Sequence, residues 1–395
     1  MNRPEAQSLT SPELSRAVAR PRIVAIDALR GLVMLLMLVD HTREFFYLDR
    51  QVSDPMDLTA TDPALFLTRL AAHLCAPVFV VLTGVSAWLH ARGDARRASA
   101  FLAKRGLFLI ALEVTLVNFA WTFDPTPKTY FLQVIWAIGL SMLVLAVLIH
   151  LPRGWIAGIG GALVLGHNLL DPFALAPGAP GHALWAIVHQ RDLIVLPWGA
   201  AARTSYPVLP WIGTMALGYT AGPWFGRDAD PHARGRALLL AAAGSLALFG
   251  VFRAAVGYGD TQSWQATGNA ARDAMAFVNL TKYPASACFL LLTLAIGALL
   301  LHLFERTDAE GRSRPIRWLA VLGGAPLFFY LLHLYVLHAA NRIAGAALGA
   351  PGLLSVPSVG WIWTLAALVA VPCWFATRRF GAAKRASSAW WMRYL

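Results

Sequence analysis

Three residues at the end of the first apolar segment have the types and spacing that proton transfer requires. Asp40, His41 and Arg43 lie within one short stretch. Histidine has an ordinary pKa of about 6.5, so it can accept a proton and return it within one reaction cycle. A carboxylate beside it, or elsewhere in the fold, can orient the ring, and Asp40 can also pair with Arg43 one helical turn away. The pattern fits two alternatives equally well. His41 is either a catalytic group or a histidine that meets water at the end of a helix.

The same segment begins with a second charged pair, Asp27 and Arg30. If the segment is one helix, about 20 Å separates the two charged groups, at a rise of 1.5 Å per residue. Charges inside a hydrocarbon layer cost about 2.5–3.5 kcal/mol each on insertion scales, so they are rarely retained without a role. Asp27 and Arg30 form either a structural ion pair or a contact for a phosphorylated ligand, because arginine matches the geometry of phosphate.

Later apolar segments add further polar candidates. Arg69 and His73 lie four residues apart, and His333 lies in a segment closer to the C-terminus. Arg43 or Arg69 can stabilise an oxyanion in a transition state. The alternative for His73 and His333 is a packing role, with hydrogen bonds between helices.

Glu113 is a costly charge in the middle of a predicted span, and Arg69 or Arg253 is its expected structural partner, with a catalytic role as the alternative. No metal site is predicted, because the sequence has neither a His-Glu-x-x-His motif nor a cysteine pair, and no glycine-rich phosphate loop is present either. The cysteines are predicted to be buried small hydrophobic residues without a disulfide: Cys75, Cys288 and Cys373.

The elements that must position these residues are apolar helices. The chain has 395 residues, of which 57% are hydrophobic and 14% are charged, whereas a soluble domain has about 25% charged residues. Since a span needs roughly 20 apolar residues, the sequence predicts an all-α polytopic membrane helix bundle with about ten transmembrane helices. The predicted spans are residues 27–48, 66–91, 101–123, 129–149, 154–170, 206–226, 235–256, 283–304, 317–345 and 357–380.

Basic residues indicate the orientation of the bundle. Lys and Arg are concentrated in alternate connections, which predicts that both termini are cytoplasmic and that the number of spans is even. This distribution accounts for the net charge of +12 without nucleic acid as a partner. Residues 1–24 are predicted to form a disordered cytoplasmic tail, and residues 25–395 a single transmembrane domain with the lipid bilayer as its partner.

Two long connections, residues 171–205 and 257–282, are rich in Gly, Pro and polar residues. They lie on the predicted outer side and are expected to form a cap or a substrate mouth above the helices. Within the first, residues 193–198 are predicted to be a re-entrant or interfacial piece.

Several short motifs, taken together in their order and spacing, resemble one known family. They are Ala25–Gly31, Asp40-His41, Leu74–Phe79 with Thr83-Gly84, Leu132–Ile135, Tyr206–Gly213, Lys282–Pro284, Pro326–His333 and Trp390–Leu395. The chain resembles the bacterial relatives of the heparan-alpha-glucosaminide N-acetyltransferase catalytic domain over residues 22–395. These belong with the transmembrane acyltransferases that modify surface glycans.

The resemblance implies a reaction and the place of its two substrates. Acyl-CoA, expected to be acetyl-CoA, would enter from the cytoplasm as co-substrate. The acyl group would reach a glycan, amino sugar or similar polar acceptor on the outer side of a bacterial inner (plasma) membrane. Asp27, Arg30 and Gln133 are the predicted donor-binding residues. The predicted catalytic group consists of His41, Asp40, Arg43, Arg69, His73 and His333.

In the lysosomal enzyme of this group, the catalytic histidine follows the first span in a short loop, and an asparagine lies near the end of that span. In this sequence Asp40 stands in the place of the asparagine. His41 is the nearest histidine, because residues 42–65 contain none.

Two other functions fit the same residues. A transporter or channel for a small polar solute would also need ionisable groups on several helices. A membrane scaffold would use the same charges as structural ion pairs. The sequence leaves open whether the protein is a homodimer.

Overall fold

Apolar helices fill most of the molecule, because a helix satisfies its own backbone hydrogen bonds where lipid offers none. The structure is a computed structural model that describes residues 23–48, 56–58, 61–91, 93–262, 264–266, 268–308, 311–349 and 354–394. The predicted N-terminal tail lies outside the described residues as far as residue 22, and Val24 already belongs to the first helix.

The helices of the first half alternate between long apolar elements and short connecting ones. They are α1 (Val24–Phe46), α2 (Pro63–Ala71), α3 (Cys75–Ala91), α4 (Ala95–Leu112), α5 (Asn118–Thr122), α6 (Val134–Leu148), α7 (Arg153–Gly166) and α8 (His182–Val188). A 3₁₀ turn at Ala72–Leu74 joins α2 to α3, and a π-helical turn at Glu113–Val117 joins α4 to α5. A further 3₁₀ turn, His167–Leu170, follows α7.

The second half continues with longer helices. They are α9 (Leu209–Ala221), α10 (Pro231–Gly250), α11 (Ala270–Val278), α12 (Ala287–Thr307), α13 (Arg314–Gly323), α14 (Pro326–Ala347) and α15 (Val359–Ala386). A π-helical turn at Val251–Val256 extends α10, and 3₁₀ turns lie at Gly222–Phe225 and Trp390–Arg393.

Five helical stretches of the described chain are long and apolar enough to cross a membrane. They are Pro63–Ala91, Pro231–Ala254, Ala287–Thr307, Pro326–Ala347 and Val359–Ala386, and Val134–Leu148 is a shorter apolar helix. The structure therefore confirms the predicted class, a mostly helical membrane protein. The number of spans and the side on which each terminus lies stay predictions.

Three predicted boundaries differ from the structure. Residues 129–132, expected to begin a span, form strand β1 (Thr129–Leu132). Residues 193–198, expected to be re-entrant or interfacial, contain strand β2 (Leu193–Val195), which pairs with β3 (Ala201–Thr204). The span predicted at 317–345 is two helices, because Pro326 has no N–H to continue a helix and disfavours helical backbone at the residue before it.

The three strands form a small sheet in the order β1-β3-β2, with β1 parallel to β3 and β2 antiparallel to it. Strands β2 and β3 of this sheet and helix α8 lie in the connection 171–205 that is expected to form a cap, and we refer to the sheet and α8 as the cap. Asn118 connects the sheet to the bundle, since its side chain both accepts from the Phe131 N–H at 2.7 Å and donates to the Phe131 carbonyl at 3.1 Å.

Helix α1 lies in the middle of the bundle and packs on α13 with the two backbones in contact. A Cβ atom added at Gly31 would lie 2.0 Å from the Leu319 carbonyl oxygen, and one added at Gly323 would lie 1.8 Å from the Asp27 carbonyl oxygen. Small residues allow such close approach between membrane helices. This contact fixes the height of α1, and with it the two charged groups that we refer to as the Arg30 end and the His41 end.

The contact predicts that Gly31→Ala destabilises the protein. The added methyl group would overlap backbone atoms of α13, and overpacking of this kind costs about 1–3 kcal/mol. Gly244→Ala on α10 is the matched control, because no atom lies within 4 Å of a Cβ added there and alanine favours a helix over glycine. In detergent, the melting temperature should fall for Gly31→Ala and stay or rise for Gly244→Ala. Equal melting temperatures would contradict the packing described for α1.

Acid is expected to loosen the cap through Asp192. A hydrogen bond from His182 and another from the Leu193 N–H lower the pKa of Asp192 below its ordinary value of about 3.9. The ionised carboxylate therefore stabilises the fold above the ordinary pKa, and this contribution disappears as the pH falls through the lowered pKa.

The melting temperature of Asp192→Asn should accordingly lie below that of the wild type at pH 6, and the difference should shrink towards pH 3. Asp228→Asn, at an exposed position, should match the wild type at both values. A difference between Asp192→Asn and wild type that is independent of pH would contradict the role of the carboxylate charge.

Candidate functional site

A cavity of about 910 Å³ extends through the interior of the bundle. Its wall on α1 runs from Met34 to Glu44, a length of about 15 Å at 1.5 Å per residue. One end contains Thr83 and Arg105, and the opposite end lies under the cap at Arg191. Six of the predicted site residues line this one space: Asp40, His41, Arg43, Arg69, His73 and Gln133.

His41 forms a hydrogen bond with a second histidine from a distant part of the chain. Its Nδ1 lies 2.7 Å from Nε2 of His333 on α14, and the rings are stacked with centroids 5.0 Å apart. Nδ1 of His333 lies 2.7 Å from the backbone carbonyl oxygen of Phe329, in the preceding turn of the same helix. His333 is fully buried and stands behind His41 rather than on the cavity wall.

These two hydrogen bonds determine which nitrogens carry hydrogen in the neutral pair. A carbonyl oxygen only accepts, so Nδ1 of His333 is the donor to Phe329 and its Nε2 keeps a lone pair. That lone pair then accepts from Nδ1–H of His41. Nε2 of His41 is consequently the nitrogen with a free lone pair, and it is the atom that can take a proton or attack an electrophile.

Two unpartnered polar groups lie next to the His41 ring. The indole of Trp121 and the ring of Tyr330 both pack edge-on against it, with centroids 5.0 and 5.9 Å away. Trp121 Nε1 and the Tyr330 hydroxyl are buried without a hydrogen-bond partner among the described residues. Because buried polar groups are nearly always paired, these two are candidates to receive a partner from a ligand.

Asp40 binds arginines and makes no hydrogen bond to His41 in the described chain. One carboxylate oxygen accepts from Arg43 Nε at 3.0 Å, and the other accepts from Nη1 of Arg69. Consecutive residues on a helix point about 100° apart, which directs Asp40 away from the His41 ring. The ring of His41 is therefore oriented by His333 and not by the adjacent carboxylate. Arg43 and Arg69 are paired with Asp40.

Glu113 has a partner that the sequence did not indicate. Its Oε2 accepts from the Trp136 N–H at 2.9 Å and so caps the start of α6. Neither expected arginine pairs with it: Arg69 binds Asp40, and Arg253 donates to backbone carbonyls, among them that of Asn279. Glu113 thus has a structural partner, but this partner is the N-terminus of a helix and not an arginine. The N–H groups of the first turn can bind it because they lack partners within the helix.

His73 lies in the 3₁₀ turn between α2 and α3, at the wall of the cavity. The ring of Phe289 packs edge-on against it at 5.2 Å. His73 thus lies in the same space as His41, and its chemical role stays a prediction.

Asp27 and Arg30 lie outside the wall of the large cavity. Arg30 binds Asp27 at 3.1 Å and Ser86 Oγ at 2.6 Å, and it also lies 3.3 Å from the Leu82 carbonyl. These partners come from the protein itself, as expected of a structural ion pair, and Asp27 also lines a separate cavity of about 200 Å³. The donor-binding role of the two residues stays a prediction.

Two cations on the wall were not identified as site residues from the sequence. Arg105 belongs to the basic stretches that indicate orientation in the sequence, and in the structure it lines the cavity from α4. Lys282 lies below the cap, where its ammonium group stands 5.3 Å from the centre of the Tyr283 ring. Within the described residues, no group of three His, Cys, Asp or Glu side chains is placed to hold a metal ion.

Comparison with models of protein families identifies the family of this chain. A family model described as "Heparan-alpha-glucosaminide N-acetyltransferase, catalytic" matches residues 22–256. The chain belongs to this family. The match includes α1 to α10 and therefore the wall residues of the cavity from Met34 to Tyr206, whereas His333 lies beyond it. A search of curated proteins finds no match.

The hydrogen bond between the two histidines predicts a defined tautomer. In protein labelled with ¹⁵N-histidine, the nitrogen chemical shifts of His41 at neutral pH should be those of a ring protonated at Nδ1. Replacing His333 with Leu removes the acceptor, and the His41 signals should then move towards a mixture of tautomers. His150→Ala, at an exposed turn far along the sequence from the site, should leave them unchanged. A His41 ring protonated at Nε2 in the wild type would contradict the arrangement.

Proposed function

We propose that the protein is an integral membrane acyltransferase. It moves an acyl group, expected to be acetyl, from cytoplasmic acyl-CoA to a glycan, amino sugar or similar polar acceptor on the other side of the membrane. The observation that carries this proposal is one continuous cavity with His41 on its wall between Arg105 and Arg191. Membership of the N-acetyltransferase catalytic family supports the type of reaction.

The proposed topology has about ten spans with both termini in the cytoplasm of a bacterium, since each span needs roughly 20 residues. It is supported by the alternation of basic connections along the sequence. In this orientation the Arg30 end of the bundle is cytoplasmic and the cap is on the outer side. The donor then approaches His41 from one end of the cavity and the acceptor from the opposite end.

The proposed reaction uses the free lone pair on Nε2 of His41. As a general base, Nε2 takes a proton from the acceptor hydroxyl or amine while the acceptor oxygen or nitrogen attacks the thioester carbonyl. The tetrahedral intermediate collapses, its C–S bond breaks, and the CoA thiolate takes the proton from Nε2. In the covalent alternative, Nε2 attacks the thioester carbonyl, the C–S bond breaks and the CoA thiolate leaves. The acceptor then attacks the acyl carbon, the bond from this carbon to Nε2 breaks, and the acceptor proton passes by way of Nε2 to the thiolate.

The two unpartnered donors beside His41 suit the negative charge that develops on the carbonyl oxygen. Trp121 Nε1–H and the Tyr330 hydroxyl are buried close to each other, and neither makes a hydrogen bond of standard geometry to a described residue. Preorganised donors in a site that excludes water are worth about 10²–10³ in kcat each. We assign this role to them in place of Arg43 and Arg69, which bind Asp40.

The proposal predicts that His41→Ala separates binding from chemistry. Proteoliposomes are loaded with radiolabelled acetyl-CoA, and glucosamine is supplied outside. Transfer by His41→Ala should fall about 10²- to 10⁴-fold below wild type, the range expected for loss of a general base. Binding of acetyl-CoA to the purified variant should change little, because the donor's charged part lies towards the other end of the cavity. His150→Ala is the matched control and should behave as wild type.

Two outcomes would contradict the proposal. If the wild-type protein does not bind acetyl-CoA, acetyl-CoA is not its donor. Flux of a small polar solute through protein-containing liposomes without acyl-CoA, at a rate unaffected by acetyl-CoA, would favour the transporter, for which the charged wall of the same cavity is equally suited.

A further inference from the structure

Arg105 is a cation on the wall of the large cavity that has no partner in the described chain. It lies on α4 at the cavity end opposite the cap. No hydrogen bond, ion pair or ring contact joins its guanidinium group to another described residue. Other arginines in the bundle do have partners: Arg30 binds Asp27, Arg43 and Arg69 bind Asp40, and Arg253 binds backbone carbonyls.

An unpaired guanidinium inside an apolar bundle is unfavourable unless an anion or water compensates for it. Among the described residues, the carboxylates on the cavity wall are Asp40 and Glu44, which belong to the His41 end and accept from Arg43. The positive charge of Arg30 acts unfavourably on Arg105. The described residues therefore give the partly buried Arg105 no counter-charge, and an anionic ligand in the cavity would supply one.

The distance from Arg105 to the histidine site restricts the shape of that ligand. Arg105 and Trp121 lie sixteen residues apart on the continuous helical run of α4 and α5, or about 24 Å at 1.5 Å per residue. Between them the wall includes Leu109, Ile138 and Met37. Such a passage fits a long, uncharged arm that carries an anion at one end and its reactive group at the other.

We propose that Arg105 binds a phosphate group of the acyl donor and so distinguishes phosphorylated thioesters from thioesters with the same arm and no phosphate. Arginine suits this task because its planar fork donates two hydrogen bonds to a phosphate at once. The inference rests on the proposed function, because it names the residue that binds the donor in the same cavity.

The test compares three thioesters in isothermal titration with purified protein: acetyl-CoA, acetyl-dephospho-CoA and S-acetylpantetheine, which has no phosphate. Arg105→Gln should raise the Kd of acetyl-CoA about 10- to 100-fold, the effect of losing a charged hydrogen bond or two. It should leave the Kd of S-acetylpantetheine unchanged. Arg105→Lys, which keeps the charge without the fork, should give an intermediate Kd for acetyl-CoA. The behaviour of acetyl-dephospho-CoA separates the 3′-phosphate from the pyrophosphate as the bound group.

Lys104→Ala is the matched control, because Lys104 is the neighbouring residue on the same helix and is exposed. It should bind all three thioesters as the wild type does. Equal binding of acetyl-CoA by Arg105→Gln and wild type would overturn the inference and leave the proposed function standing. If Arg105→Gln weakens the binding of acetyl-CoA and of S-acetylpantetheine equally, the inference is also overturned, since that pattern indicates a structural role for Arg105. Failure of the wild type to bind any of the three would overturn the proposed function itself.

Discussion

A charge inside an apolar bundle needs a partner, and this requirement organises the interior of the protein. Asp40 joins two arginines from different helices, and the Arg30 end is held by Asp27 and Ser86. Because these side chains are paired with one another, they are not available to contact a substrate. Trp121 Nε1 and the Tyr330 hydroxyl lack such partners and also line the cavity, so they are candidates to meet a ligand there.

Helix α1 carries the charged groups at both of its ends. Backbone contacts with α13, more than side-chain contacts, fix its position. The contacts at Gly31 and Gly323 leave no room for α1 to slide along α13. His41 is therefore held at a constant height against His333. Precise placement of this kind matters for a proton acceptor, since reactivity depends on the distance and direction of a single lone pair.

The sequence was informative about local features and less so about distant contacts. The charges at both ends of the first segment predicted α1 closely, and the type of His41 made it a candidate on chemical grounds. Pro326 carried a readable signal for the break between α13 and α14, although the apolar run around it favoured one helix. His333 is 292 residues from His41, and no periodicity could predict that the two rings meet. The sequence does not distinguish Arg105 as a site residue, because a basic residue near a helix end is also explained by membrane orientation.

The chain of hydrogen bonds behind His41 ends at the backbone carbonyl of Phe329. A carbonyl oxygen cannot release a proton, so the pair of histidines is a closed branch and not a conduit through the bundle. Under the proposed function, a proton that arrives on Nε2 must leave from Nε2, passing from the acceptor to the departing thiol. Each turnover then moves no net charge across the membrane at this site. The net reaction would then neither consume nor generate a proton gradient, and the thioester bond would supply its driving force.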